Sequence, residues 1–325
     1  MSKNASHTPS FRPSQELSGR ETSRPLNSDN PHYGEKAIVA FLFLTAVVSV
    51  VTTLAIVVAL FQPLPGFFAE ISIVEFFTDT EWSPGFVGAR YGVVPVVVGT
   101  LIVVVFALIV AIPLGLLSAI YLSEYAPNRV RKTIKPVLEV LEGIPTVATG
   151  LFAFFWLKPF LEVLTPWLPW GGVFSTGVAG VAVGLIIIPL IASVSDDAMR
   201  SVPRSLREGA YALGASKMRV ALRVVVPAAI SGIIASFVLG ASRAVGETMI
   251  VLLVAGAGSP GLNFNPFEGI QTMTAYIASR ATGEIAVGSI IYDTIFAVGA
   301  LLFLLTLIMN MIAIRFVNRF REVYE

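Results

Sequence analysis

The chain has 325 residues, of which 55% are hydrophobic and 13% charged, against roughly 25% charged in an ordinary soluble domain. A net charge of +1 offers no bulk-charge argument for nucleic acid or another polyanion, and the absence of cysteine excludes disulfides and thiolate chemistry. Its two histidines, His7 and His32, both lie in the polar N-terminal stretch, so no imidazole is on hand for a metal or acid/base site inside a membrane.

Residues 1–36 are rich in Ser, Pro, Asn and charge with no apolar period. They cannot offset ordering entropy by burial and are expected to form a disordered cytoplasmic tail. A cleaved signal peptide would place its apolar stretch near the start, whereas the first one here opens at Ala37 and is too long for an h-region. Residues 37–60 make the first predicted span, long enough to cross a hydrocarbon core of about 30 Å. The connection from Phe61 to Gly92 sets Glu70, Glu75, Asp79 and Glu81 against Arg90 alone and is expected outside. A second span covers 93–121, with a kink expected at Pro113, and Ser123–Lys135 then gathers Arg129, Arg131, Lys132 and Lys135 on the inside. The third span, 136–157, contains EGIPT, Glu142–Thr146, whose Gly and Pro predict a broken helix. Lys158–Gly172, with Trp167 and Trp170, reads as an external connection with interfacial aromatics. A fourth span over 173–194, a polar stretch over 196–227, a fifth span over 228–255, an external loop and a sixth span over 285–314 complete the order, with 321–325 a cytoplasmic end. The expected fold class is an all-α polytopic membrane protein of six transmembrane helices.

Cytoplasmic loops collect Lys and Arg, and this topology places 18 of the 22 basic residues inside, with only Arg90, Lys158 and Arg280 outside. The remaining one is Arg243, near the middle of the fifth span. A charge there costs about 2.5 to 3.5 kcal/mol on insertion scales, so such residues face a protein interior or a wet path. Glu247 follows four residues later and is expected on the same helical face, one turn on. As residues alone, the two read either as a neutral staple between helices or as part of a translocation path.

The polar stretch includes EGAYALGASKMRVALRVVVP, Glu208–Pro227. A short helix, a glycine that lets the backbone turn, and a second helix ending at Pro227 would make it a docking surface. Gly209 and Gly214 are spaced as in a phosphate-binding loop, but Ala215 stands where that motif needs Lys and no strand precedes it. No such motif occurs elsewhere, so any ATP must be hydrolysed by another chain.

Glu208, Gly209, Ala210, Gly214, Val224, Val226 and Pro227 together resemble the cytoplasmic "EAA" coupling loop of ABC importer permeases. The matches are Glu208, Ala210, Gly214 and Pro227; Gly209, Val224 and Val226 are small or conservative departures. RAVGETM, Arg243–Met249, with IPTVATGLF at Ile144–Phe152 and LFLLTLIMN at Leu302–Asn310, is similar to the permease subunits of the phosphate-specific (Pst) importer. A longer first external loop and Met249 after GET favour the PstC type over the PstA type. The likeness extends over about residues 37–320. It implies the type I importer permease fold, with Arg243 and Glu247 in the phosphate path and Glu208, Gly209, Ala210, Gly214 and Pro227 in ATPase coupling. It also implies a second permease subunit (PstA type), two ATPase subunits (PstB type), an extracytoplasmic phosphate-binding protein (PstS type) and inorganic phosphate, with no cofactor, no nucleic acid and no catalysis by this chain. The arginine fork suits a tetrahedral oxyanion, and Glu247 beside it would keep the site weak enough for release. The rivals are a sulfate, molybdate or phosphonate permease of the same superfamily and, from another class, an ion-gradient-driven transporter, which commonly shows internal repeats that are not evident here. A membrane enzyme is the weakest, since no nucleophile, base and metal set can be assembled.

Other polar residues have plainer readings. Glu139 and Glu142, three apart at the start of the third span, are expected to pair with loop cations such as Lys135. Asp196 and Asp197 are expected to cap the helix that follows them. Asp293 would answer a neighbouring charge or line an external vestibule, and Gly180 and Gly184 permit a close helix contact with a partner left open.

Overall fold

The computed structural model describes residues 33–320, apart from 257, 259 and 284. The expected tail, as far as residue 32, and the C-terminal end, 321–325, lie outside them. Two units divide the chain after Leu54. Residues 33–54 belong to the first and are apolar helix, the larger part of α1, Tyr33–Phe61.

In the second unit, α2 (Leu64–Glu70) and α3 (Ile73–Thr78) precede the long α4 (Val94–Ile120). Then come α5 (Asn128–Glu142), α6 (Thr146–Phe152), α7 (Lys158–Leu164) and the central α8 (Thr176–Ser201). The remainder is α9 (Arg204–Ala212), α10 (Lys217–Val220), α11 (Val226–Ala228), α12 (Ile230–Gly246), α13 (Met249–Val254), α14 (Met273–Ala281) and α15 (Ile290–Phe320). Among the described residues there are only isolated β-bridges and no strands. Among the described residues five helical stretches are long and apolar enough to cross a membrane, and a sixth forms if the bent pair Lys217–Ala228 and Ile230–Gly246 counts as one span.

The core is a seam between α4 and α8, lined by Val103, Ala107, Ala111, Ala179, Val183 and Ile187. A Cβ on Gly180 would lie 2.8 Å from the Val103 carbonyl, and one on Gly184 2.7 Å from that of Ala107. The glycine pair therefore permits backbone-to-backbone approach, and α4 is the partner that the sequence left open. Outside this seam, Phe67, Phe76, Trp82, Tyr91 and Tyr276 form a second, aromatic cluster that ties the 64–93 segment to α14.

Prolines sit inside several of the helices. α4 continues through Pro113, and three single π-turns, Tyr121–Tyr125, Ala153–Leu157 and Ala221–Val225, each stand two residues before a proline. Before Pro159 and Pro227, where the helix continues, a widened turn absorbs the missing N–H and the ring clash that proline brings to its preceding turn, whereas Pro127 follows an extended Ala126 outside the helix. Hence Pro227 does not end its helix: α11 carries on to Ala228, and the chain bends by 72° at Ala229.

Two further expectations change. The helix assigned to 136–157 is broken at Gly143–Pro145, as EGIPT predicts, but the long apolar helical stretch begins only at Thr146 and runs to Leu164. Lys158 is consequently in a helix, buried and paired with Glu162 one turn on. Asp196 and Asp197 lie inside the last turns of α8, which extends to Ser201, so neither caps a following helix.

Candidate functional site

α12 ends at Gly246, and Glu247 takes an extended conformation, with φ −67° and ψ 128°. The helical register linking Arg243 to Glu247 is therefore broken just before the glutamate. The Glu247 carboxylate turns forward, accepting hydrogen bonds from the backbone N–H groups of Thr248 at 3.1 Å and Ile250 at 3.4 Å. Its carbonyl accepts from Thr274 Oγ1 at 2.7 Å. Glu247 thus satisfies free amides at the start of α13 and fixes the break.

Arg243, in the last turn of α12, finds a different carboxylate. One terminal nitrogen donates to Glu142 Oε1 at 2.8 Å and the other to the Glu142 carbonyl at 3.3 Å. Glu142 is the last residue of α5, at the mouth of the Gly143–Pro145 break. The expectation that it pairs with Lys135 fails because Lys135 turns to Asp196 and Asp197 on α8, while Glu142 turns to Arg243 on α12. Both side chains of the Arg243–Glu142 pair remain about a third exposed, at 31% and 32%. No periodicity announces a contact 101 residues apart.

The other end of that face meets α8. Asp196, fully buried, receives Arg131 Nε at 3.2 Å and a terminal nitrogen at 2.7 Å, with Lys135 at 3.9 Å and Arg200 at 3.6 Å. Lys135 also pairs with Asp197. No residue of α5 is buried, so the helix is held by its charged face while Val137, Val140 and Leu141 point outward. Asp293, in the first turn of α15, is partly buried; a carboxylate there is favoured by the free N–H groups of that helix end.

The coupling stretch is a helix-turn-helix. Gly214 has φ +77°, its N–H bonds back to the Tyr211 carbonyl at 2.9 Å, and the Ala215 N–H to that of Ala210 at 3.1 Å. This is a Schellman ending for α9, in which glycine supplies the left-handed residue. Glu208, Gly209 and Ala210 lie on α9, and Leu213 and Met218 at its turn are 90% and 64% exposed. Arg207 holds the motif to the membrane helices, donating to the carbonyls of Val202 at 2.6 Å and Met199 at 2.8 Å and to Glu124 at 3.1 Å. Lys217 lies 5.1 Å from the centre of the Tyr125 ring, within range of a cation–π contact. Arg200, Arg204, Arg207, Glu208 and Tyr211 line a cavity of about 340 Å³. The anchors Glu124 and Tyr125 were missed in the sequence; the hint was a lone acidic residue closing an apolar span.

Membrane-crossing helices packed on a parallel α4–α8 seam, with a broken arginine-bearing helix and an exposed helix-turn-helix insert, define the membrane subunit of a type I ABC importer. The fold is shared with a solved bacterial ABC transporter involved in import of the acidic polysaccharide alginate, at a TM-score of 0.59 and 17% identity over 88% of this chain and 99% of that one. Residues 111–322 match the binding-protein-dependent transport system inner membrane component family, and the chain belongs to it. It is 34% identical over 277 residues to the phosphate transport system permease protein PstC 1 of Mycobacterium bovis, spanning 76% of this chain and 82% of that one. It is also 35% identical over 254 residues to the "Probable ABC transporter permease protein YqgH" of Bacillus subtilis, covering 78% and 80% of the two chains.

Proposed function

We propose that this multi-pass membrane protein is the PstC-type half of the translocation pore of an inorganic phosphate importer. It works with a PstA-type permease, two PstB-type ATPase subunits and a PstS-type binding protein, and its own termini are cytoplasmic. Hydrolysis of ATP belongs to the ATPase subunits, which dock on Glu208, Gly209, Ala210 and Gly214, with Pro227 shaping the helix behind them. The similarity to PstC proteins over three quarters of the chain supports the substrate.

The observation that carries the reading is Arg243: a guanidinium about a third exposed at the end of an apolar helix, beside a helix break. Two hydrogen bonds engage it, and its remaining N–H groups have no acceptor among the described residues. An oxyanion that exchanges with Glu142, or shares its two nitrogens, would meet those free donors as well. Glu247 belongs to the same path by holding the break that leaves Arg243 at a helix end.

Uptake of radiolabelled phosphate, at matched membrane abundance of the assembled complex, tests the reading. Arg243→Gln should abolish uptake and Arg243→Lys, which keeps charge but loses the fork, should retain part of it. Wild-type uptake in Arg243→Gln would remove Arg243 from the path. Competition by sulfate or molybdate as strong as by unlabelled phosphate would replace phosphate by another oxyanion.

A further inference from the structure

Resting on the reading of Arg243 above, we infer that Glu142 is the resident anion at the substrate's arginine, and that phosphate passes by displacing it. The carboxylate and carbonyl of Glu142 occupy both terminal nitrogens of Arg243, the two that a phosphate would use for a bidentate contact. An oxyanion arriving at this guanidinium must therefore exchange with Glu142 or share the fork with it.

The surroundings make that exchange easy in both directions. Arg243 is in the last turn of α12 and Glu142 is the last residue of α5, so two helix C-termini, each with partial negative charge, converge on one cation. Such ends favour the arginine and disfavour any anion near it, whether carboxylate or phosphate. Glu142 is thus held less firmly than its 2.8 Å contact suggests, and the hold on phosphate is weakened in the same way. The chain after Glu142 is Gly143-Ile144-Pro145, where the helix is already broken. Meanwhile Arg131 and Lys135 keep the rest of α5 fastened to Asp196 and Asp197. Release of Glu142 then needs movement of one side chain at a helix end, not undocking of α5. When phosphate leaves, Glu142 returns and the cation is never left bare.

The test is equilibrium binding of radiolabelled inorganic phosphate to the purified complex in lipid nanodiscs, without nucleotide or binding protein. Glu142→Gln removes the competitor and should raise phosphate retention by at least about threefold, the scale of a partly exposed ion pair, while slowing uptake because release is impeded. Adding Arg243→Gln should erase the gain. Retention at or below the wild-type level in assembled Glu142→Gln complex would overturn the inference, and a staple that only joins α5 to α12 predicts that outcome together with a lower melting temperature. Glu142→Asp keeps the charge but shortens its reach; it should give an intermediate gain, and if Glu142→Gln does not assemble, wild-type retention in Glu142→Asp overturns the inference in its place. If Arg243→Gln blocks uptake and the Glu142 variants retain no more phosphate, this inference fails alone; if Arg243→Gln transports normally, the arginine path fails with it.

Discussion

Asp196 shows what a single residue contributes. It is fully buried and its Oδ1 has no hydrogen-bond partner, the Arg200 Nε being 3.6 Å away, so the ion pair with Arg131 carries most of its compensation. Removing one partner of a buried pair costs up to about 3 to 5 kcal/mol, and here Lys135 and Arg200 remain beside Asp196 to offset part of it. Arg131→Gln should accordingly lower the melting temperature of the purified complex, and adding Asp196→Asn should restore much of it; an unchanged melting temperature in the single variant would refute this role. Gly214 makes a different contribution. A Cβ there would touch nothing within 4 Å, but an L-residue in its left-handed conformation costs about 1 to 2 kcal/mol. Gly214→Val should lose ATPase on co-purification and Gly214→Asn should keep it, because asparagine tolerates this conformation; equal retention by both would show that the turn does not matter. Gly214 was legible in the sequence because its turn is local. The partner of Arg243 was not, since a spacing of four residues predicts a contact with Glu247 only while the helix continues, and Gly246 ends it.

At the scale of the element, α9 is the piece whose position depends on few bonds. It buries no side chain and reaches the membrane helices mainly through Arg207, which is 17% exposed and bonded to a Glu124 that is 6% exposed. Arg207→Ala removes all three of its hydrogen bonds, at about 1.5 to 3 kcal/mol each for a charged donor. The expected result is a complex with normal membrane abundance and at least about tenfold less uptake per ATP hydrolysed; unchanged coupling would mean that α9 is positioned by the ATPase alone. The helix ends were the least legible elements. Asp196 and Asp197 looked like the start of a helix because SDDAMRS is polar after an apolar run, whereas the membrane helix simply continues into a charged environment supplied by α5. Likewise residues 136–142 of α5 looked like the first turns of a span and 128–135 like a basic loop; the face with Arg131, Lys135 and Glu142 is what docks the whole helix.

For the whole molecule, the order of helices follows from apolar runs that could be read directly, whereas Gly180 and Gly184 marked a close contact without naming α4 as its partner. The pairing of distant charges depends on tertiary placement and could not be read. The orientation proposed above rests on the inside excess of Lys and Arg. The chain contains no cysteine, so single cysteines report cleanly: Ser72→Cys, between α2 and α3, should react with an impermeant thiol reagent added outside intact cells, and Ser216→Cys should not. Both positions are exposed, and the reverse pattern would invert the orientation. The 72° bend at Ala229 also has a mechanical consequence. Arg243 lies fourteen residues beyond it along α12, a lever arm of about 21 Å at 1.5 Å per residue. Pivoting the elbow by only about 10° would carry the guanidinium some 4 Å at that radius, farther than the 2.8 Å that joins it to Glu142. A tug on the turn at Gly214, fifteen residues before the elbow on its other arm, would then be felt at the far end as the making or breaking of one ion pair.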